Sequence, residues 1–527
     1  MENRIASDQA RATRRPEYIW LVTGLILSLF ATNGRWDLSL AAWLYPIFFL
    51  RFSRTSGALI GFIGIWLATI GTMAFFLAES ELFNPIMMAV FVLFSAVLAL
   101  PYLLDRLISP RLGLASGILA TLVFPLARVA CEYVITFTPF GSMFSLAYTQ
   151  HGNLPLLQVV SITGVYGVSF LLAWLAPVVN WAWEQRLVWS RIRATSMLYC
   201  ALLALVLLGG SIRLAFFPPT SQTIRVAGIS ASKSTYQKVM QISNFTRQEE
   251  LIPLNRQKMS AAFAILNDEL LRLSQQEARA GAKIVIWPEG GSVVLAEDVD
   301  KLLEQAKTLA RTEHVYLDMG MVVLLPKAPY AQDRAIMVEP TGQVAWTFDK
   351  AHPVPAMEDF TPGDGKLPIV DTPYGRISNV ICFDADFPDL MRQRGANSLD
   401  LMLVPGNDWL GIDPWHTYNA TFRAIENGYS LVRQASHGLA MAVDYQGHVL
   451  GATDYFTTDQ QTMLAFVPTK GVLTLYALVG DLFAWLCIAG LLLLGGYVSL
   501  GAWQRRLPGL KVGPAASSPL ETEVGVN

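Results

Sequence analysis

Apolar residues crowd both ends of this 527-residue chain and thin out in its middle. Seven apolar segments, near residues 18–32, 38–50, 57–78, 85–104, 112–135, 159–183 and 197–217, precede a stretch of ordinary polarity. An eighth, 472–503, follows it. A helical span needs about 20 apolar residues, so the first two segments are short and predict either poorly tilted spans or a shallow hairpin. The middle stretch alternates strand-like and helix-like runs. Strands are predicted at 223–229, 283–287, 315–325, 335–339, 344–348, 376–381, 399–404, 431–434, 440–444 and 462–467. Helices are predicted at 251–280, 299–312, 386–395 and 415–427. Such alternation predicts a layered α/β domain. The chain therefore divides into a membrane domain at 1–219, a layered α/β insert at 220–470, a last transmembrane helix at 471–504 and a tail at 505–527.

Composition sharpens this division. The chain is 53% hydrophobic and 15% charged, where soluble domains carry nearer a quarter charged residues. The net charge of −2 gives no footprint for nucleic acid, and four scattered cysteines give neither a disulfide framework nor metal-ligand spacing. Arg4, Arg11, Arg14 and Arg15 precede the first apolar run without a small-residue cleavage site after it, which predicts an uncleaved first span. Basic residues then follow the second, fourth, sixth and eighth segments: Arg51 and Arg54; Arg106 and Arg111; Arg186, Arg191 and Arg193; Arg505, Arg506 and Lys511. By the positive-inside rule both termini lie in the cytoplasm and the insert lies outside.

Three chemistry-bearing residues of the insert sit just past apolar strands. They are Glu289 after Val285-Ile286-Trp287-Pro288, Lys350 after Thr347-Phe348-Asp349, and Cys382 after the strand ending at Ile381. Ligands of open α/β sheets bind beyond the carboxyl ends of strands, so the three can meet in one pocket. A thiol needs a base to become a nucleophile, which a desolvated carboxylate supplies. A nearby ammonium lowers a thiol pKa and stabilises a tetrahedral oxyanion. The competing reading of Cys382 is a core thiol, because free Cys packs like a small hydrophobe. The other three cysteines, Cys131, Cys200 and Cys487, all lie in apolar segments.

Trp287-Pro288-Glu289, then Lys350-Ala351-His352-Pro353-Val354-Pro355 with Glu358, then Cys382-Phe383-Asp384-Ala385-Asp386-Phe387-Pro388, resembles the signature of the nitrilase, or carbon–nitrogen hydrolase, superfamily. That resemblance implies a four-layer α-β-β-α sandwich. It also implies a triad with Cys382 as nucleophile, Glu289 as general base and Lys350 as oxyanion and thiolate partner. Glu358 would be an auxiliary carboxylate and the Phe383 N–H a further oxyanion donor. Asp384 and Trp415 are the remaining auxiliary candidates, Trp415 at the substrate mouth. Held between seven spans and one, the insert resembles the apolipoprotein N-acyltransferase family. The run from Leu157 to Phe170, Asn407-Asp408-Trp409-Leu410-Gly411, and Thr474-Leu475-Tyr476-Ala477 with Gly480-Asp481 carry the likeness along the chain.

The family implies a ping-pong reaction in an inner membrane. Cys382 takes an acyl chain from a phospholipid as a thioester, and the N-terminal amine of a diacylglyceryl-cysteine on an apolipoprotein then receives it. No cofactor, metal or nucleic acid is implied. The chain departs from the acyltransferase pattern in the short interval between Lys350 and Cys382, in Asp rather than Glu at 384, and in Ser436-His437-Gly438. The short interval leaves open a membrane-anchored nitrilase-type amidase acting on a small amide, or an acyltransferase with another amine acceptor. Arg128 and Glu132, at i, i+4 spacing in the fifth span, predict a structural pair inside the helix bundle.

Overall fold

The computed structural model describes residues 16–112, 117–243, 256–393, 399–459 and 461–504. The basic N-terminus and the tail from 505, on which expectations were placed, lie outside the described residues. Among those described, six helices are long and apolar enough to cross a membrane: Ala58–Glu79, Pro85–Leu112, Gly117–Ile135, Val165–Glu184, Trp189–Phe216 and Leu482–Gly501. Pro16–Ser28 and Ser39–Thr55 are shorter, at 13 and 17 residues, as the pattern predicts. The bundle buries Arg128 against Glu132 at 2.6 Å, and Glu132 also accepts hydrogen bonds from Ser145 and Ser169. The predicted pair is thus enclosed and hydrogen-bonded, which is how polar residues persist inside a bundle.

Two apolar runs expected as single spans are each broken. Val160–Thr163 is a short helix that ends at Gly164 before Val165–Glu184 begins, and Leu475–Val479 ends at Gly480 before Leu482–Gln504. Both glycines have positive φ, +64° and +60°, a conformation most side chains avoid. The breaks face each other: a Cβ on Gly164 would lie 2.5 Å from the Tyr476 ring.

The insert folds into two stacked sheets. The first runs Thr462–Pro468 (β13), Thr223–Ile229 (β1), Ile284–Ile286 (β2), Tyr316–Leu324 (β4), Ala331–Val338 (β5) and Val344–Asp349 (β6), with Ser292–Leu295 (β3) beside β4; the second runs Val449–Asp454 (β12), Leu439–Val443 (β11), Ser430–Ala435 (β10), Leu401–Gly406 (β9), Gly375–Asn379 (β8) and Ile369–Thr372 (β7). The strands that carry the site are β2 (Ile284–Ile286), β6 (Val344–Asp349), β8 (Gly375–Asn379), β9 (Leu401–Gly406) and β10 (Ser430–Ala435). Alternation along the strands builds the layers. Ile284 and Ile286 face Ile377, Leu403 and Val432 between the sheets. Val285 and Trp287 face helices Arg256–Arg279 and Val299–Glu313. Leu431 and Val404 pack beneath helix Trp415–Asn427. This is the four-layer α-β-β-α sandwich.

Strands Ser292–Leu295, Ile369–Thr372 and Val449–Asp454 and helix Lys233–Ser243 were not anticipated. The helix expected at 386–395 is instead a 3₁₀ turn, Cys382–Asp386, followed by one helical turn, Pro388–Met391. Pro388 has no N–H to continue the first element and a φ suited to begin the next. Residues 394–398 lie outside the described set.

Candidate active site

Glu289 leaves the carboxyl end of β2, Lys350 that of β6, and Cys382 follows β8. All three are buried, at 5, 1 and 4% exposure. Lys350 Nζ donates to Glu289 Oε1 at 2.6 Å and to Glu358 Oε1 at 2.9 Å, with Asp333 Oδ2 at 3.6 Å. Burial alone pushes the Glu289 carboxyl up. The Lys350 ammonium, with hydrogen bonds from Asp333, Lys350 and Cys382, outweighs it and holds Glu289 below its ordinary range. Burial and the Glu289 charge push the Asp333 carboxyl well up. Burial opposes the Lys350 charge, but Glu289, Glu358 and Asp333 together raise the ammonium well above its usual value. Glu289 and Lys350 thus form a buried ion pair.

Cys382 has φ +47°, unusual for a residue with a side chain and a strain of order 1 kcal/mol. Burial first, and Glu289 second, push the thiol well above its ordinary pKa. At rest the site therefore holds a neutral thiol beside a carboxylate. The turn is held by Asp384, which accepts from Ile381 N at 3.1 Å, from Ala351 N at 3.3 Å and from His352 N at 2.8 Å. His352 Nδ1 lies 2.9 Å from the same carboxylate. Asp384, expected as an auxiliary site residue, thus clasps the segment after Lys350 to the nucleophile turn.

Phe383 is buried and stacks on His416 at 5.8 Å. Trp415, expected at a mouth, is only 2% exposed. Its ring meets His416 at 4.2 Å on one side and Phe76, from membrane helix Ala58–Glu79, at 5.7 Å on the other. Trp415 and Ile412 belong to one apolar cluster with Phe76, Phe91, Phe94, Phe140 and Met143, and Met357 packs against it from the segment after Lys350. Ring contacts thus run from the nucleophile turn to the membrane helices.

Three further residues stand at the site: Asp408 and His416, which lie in or beside the 407–416 motif but were given no role there, and Arg433, which carried no sequence signal. Arg433 Nη2 lies 3.6 Å from Cys382 Sγ and donates to Asp408 Oδ1 at 2.8 Å. His416 lies between Asp408, at 3.4 Å, and Asp386, at 3.5 Å. Arg433 sits in the middle of a strand, where a single polar residue reads as solvent-facing. Only the tertiary fold brings it to the thiol.

A buried thiol, a carboxylate and an ammonium at the strand ends of a two-sheet sandwich place the insert in the carbon–nitrogen hydrolase class. Residues 259–470 match the carbon–nitrogen hydrolase family model. Residues 23–178 match that of the apolipoprotein N-acyltransferase N-terminal domain. An apolipoprotein N-acyltransferase from Geobacter metallireducens is 31% identical over 72% of this chain and 74% of its own. One from Shewanella oneidensis is 23% identical over 72% and 73%. A solved amidase from Nesterenkonia sp. is a distant superfamily match, covering 48% of this chain and 92% of its own at 19% identity and a TM-score of 0.36. The chain belongs to the apolipoprotein N-acyltransferase family, a membrane N-acyltransferase on a carbon–nitrogen hydrolase domain.

Proposed function

We propose that this enzyme moves an acyl chain from a membrane phospholipid to the N-terminal amine of diacylglyceryl-cysteine on an apolipoprotein, through a thioester on Cys382. Glu289 takes the Cys382 proton as the sulfur attacks the ester carbonyl, and returns it to the departing alkoxide of the lyso-phospholipid. Lys350 and the Phe383 N–H bear the developing oxyanion charge, where prearranged donors in a dry site act most strongly. The acceptor amine then attacks the thioester and loses a proton to Glu289, and Cys382 leaves as a thiolate that Glu289 reprotonates. A thioester yields to an amine more readily than an oxygen ester does, so two steps replace one difficult one. Glu358 supports Lys350, Asp384 positions the nucleophile turn, and Trp415 forms part of the apolar wall that receives the acyl chain.

The catalytic domain, 220–470, works on the outer face of a bacterial inner membrane, with both termini cytoplasmic. The basic loops after alternate spans support this orientation. The observation that carries the reading is the aromatic path from Phe383 through His416 and Trp415 to Phe76 of a membrane helix. An enzyme for a small soluble amide has no use for an apolar wall shared with the bilayer-spanning helices, whereas an acyl chain does. The test is a transfer assay with the full chain in detergent, labelled phospholipid and a diacylated lipopeptide. The label is expected to reach the lipopeptide N-terminus, and C382A to abolish the transfer. Hydrolysis of short amides without transfer would overturn the reading in favour of an amidase.

A further inference from the structure

Lys350 is the cation assigned to the thiolate, yet its charge is already shared. Glu289 and Glu358 lie within hydrogen-bond distance of Nζ and Asp333 lies at 3.6 Å. A sulfur losing its proton in this pocket needs a second positive partner. One is present on β10, in the second sheet.

Arg433 is 1% exposed and its Nη2 lies 3.6 Å from Cys382 Sγ. Its Nε donates to Thr417 Oγ1 at 3.0 Å, and its Nη2 to Asp408 Oδ1 at 2.8 Å. The guanidinium is thus fixed by the helix above the sheet and by the turn after β9. Gly406, at the end of β9, makes the room: a Cβ there would lie 2.7 Å from the guanidinium carbon. Guanidinium stays charged at every working pH, so the charge beside the sulfur is permanent.

The groups that face the thiol from the surrounding elements are Glu289 after β2, Lys350 after β6, Asp408 after β9, Arg433 on β10 and, through Asp408, His416 on the helix. Burial, Glu289 and Asp408 push the thiol up, and Arg433 and Lys350 pull it down. Burial pushes Asp408 up, but Arg433 and His416 overcome it and hold the carboxyl at about 2, so Asp408 is an anion throughout. Sulfur, carboxylate and imidazole atoms of Cys382, Asp408 and His416 also lie within 4.8 Å of one another, a grouping that could hold a metal ion. The permanent charge of Arg433, in contact with two of the three, opposes a second cation there.

We propose that Arg433 is a catalytic residue of this site, donating a charged hydrogen bond to the Cys382 sulfur whenever Glu289 holds its proton, and that Asp408 is a positioning residue that limits how strongly it does so. In the acylation step the S–H bond breaks toward Glu289, the S–C bond forms, and Arg433 carries the sulfur charge between the two. In the second half-reaction the C–S bond breaks, its electron pair returns to sulfur, and Arg433 stabilises that leaving thiolate until Glu289 returns the proton. The assignment rests on Cys382 being the nucleophile, but not on the identity of donor or acceptor.

The test is the pH profile of Cys382 alkylation by iodoacetamide, read by peptide mass on the full-length chain in detergent, with no lipid substrate. Arg433→Met is expected to move the profile up by about one pH unit or more, a tenfold loss of alkylation rate at a fixed pH below the midpoint. Arg433→Lys is expected to fall between. Asp408→Asn keeps the shape and removes the opposing charge, so its profile moves down. A purely structural role for this pair gives both variants the same sign. Coincident profiles for wild type and Arg433→Met, or an upward shift in Asp408→Asn, overturn the proposal. Should Arg433→Met fail to fold, the direction of the Asp408→Asn shift decides alone. Because alkylation needs no acyl donor, a failed transfer assay with the predicted shifts would remove the acceptor reading and leave this one standing.

Discussion

A thiol buried beside a carboxylate is a weak nucleophile until its proton moves. Burial and Glu289 hold the Cys382 proton on, while Lys350 keeps Glu289 ionised and ready to receive it. In the proposed mechanism the carboxylate that takes the proton therefore also suppresses the thiol at rest. This has a testable sign. In Glu289→Gln the carboxylate that raises the thiol pKa is gone, so iodoacetamide should alkylate Cys382 at lower pH than in wild type. Acyl transfer should meanwhile fall by about a hundredfold or more, the usual worth of a general base. Equal loss of both would mean that Glu289 only props the site. The three residues of the proposed triad stood out in the sequence because each follows an apolar strand inside a distinctive motif. Arg433 was not, since nothing local separates a strand arginine facing solvent from one facing a thiol. Asp384 was legible as important, but its work is to bind four nitrogen atoms of the chain around it.

At the scale of elements, the nucleophile turn is short and held from outside itself. The 3₁₀ turn Cys382–Asp386 is only five residues long, and Asp384 fastens it to Ala351 and His352 after β6. That contact ties the second sheet's nucleophile to the first sheet's lysine. Asp384→Asn should keep the fold, lower the melting temperature in detergent by an amount corresponding to about 2 kcal/mol, and slow acyl-enzyme formation more than tenfold as the turn loosens. Unchanged acylation in Asp384→Asn would show that the turn holds itself. Element boundaries followed the apolar pattern wherever it was strong: β1, Thr223–Ile229, and helix Trp415–Asn427 fall where the pattern predicts. The pattern failed at Gly164 and Gly480, where hydropathy continues through a turn that only the backbone reveals. It also failed at Ile369–Thr372 and Val449–Asp454, whose residues are half-exposed and carry little alternation.

Across the whole molecule, the two domains share their polar contacts as well as their aromatic cluster. Trp409 Nε1 donates to Ser80 O at 2.6 Å, Asn33 Nδ2 to Asn419 Oδ1 at 2.8 Å, and Ser142 Oγ to Asp386 O at 2.8 Å. Arg423 Nη2 donates to Tyr148 Oη at 2.6 Å, and Val165 N to Glu426 Oε1 at 2.9 Å. The nucleophile turn is thus supported by the membrane domain directly at Asp386. Contacts between residues hundreds of positions apart leave no local pattern, so the hydropathy profile marked both domains and said nothing of how they lock. The decisive measurement is the intact mass of the full-length chain after incubation in phospholipid nanodiscs. The account predicts one acyl chain on Cys382, absent in Cys382→Ala and discharged by a diacylated lipopeptide. A wild-type chain that stays unmodified, with its thiol still free to alkylate and with short amides turned over, would contradict it.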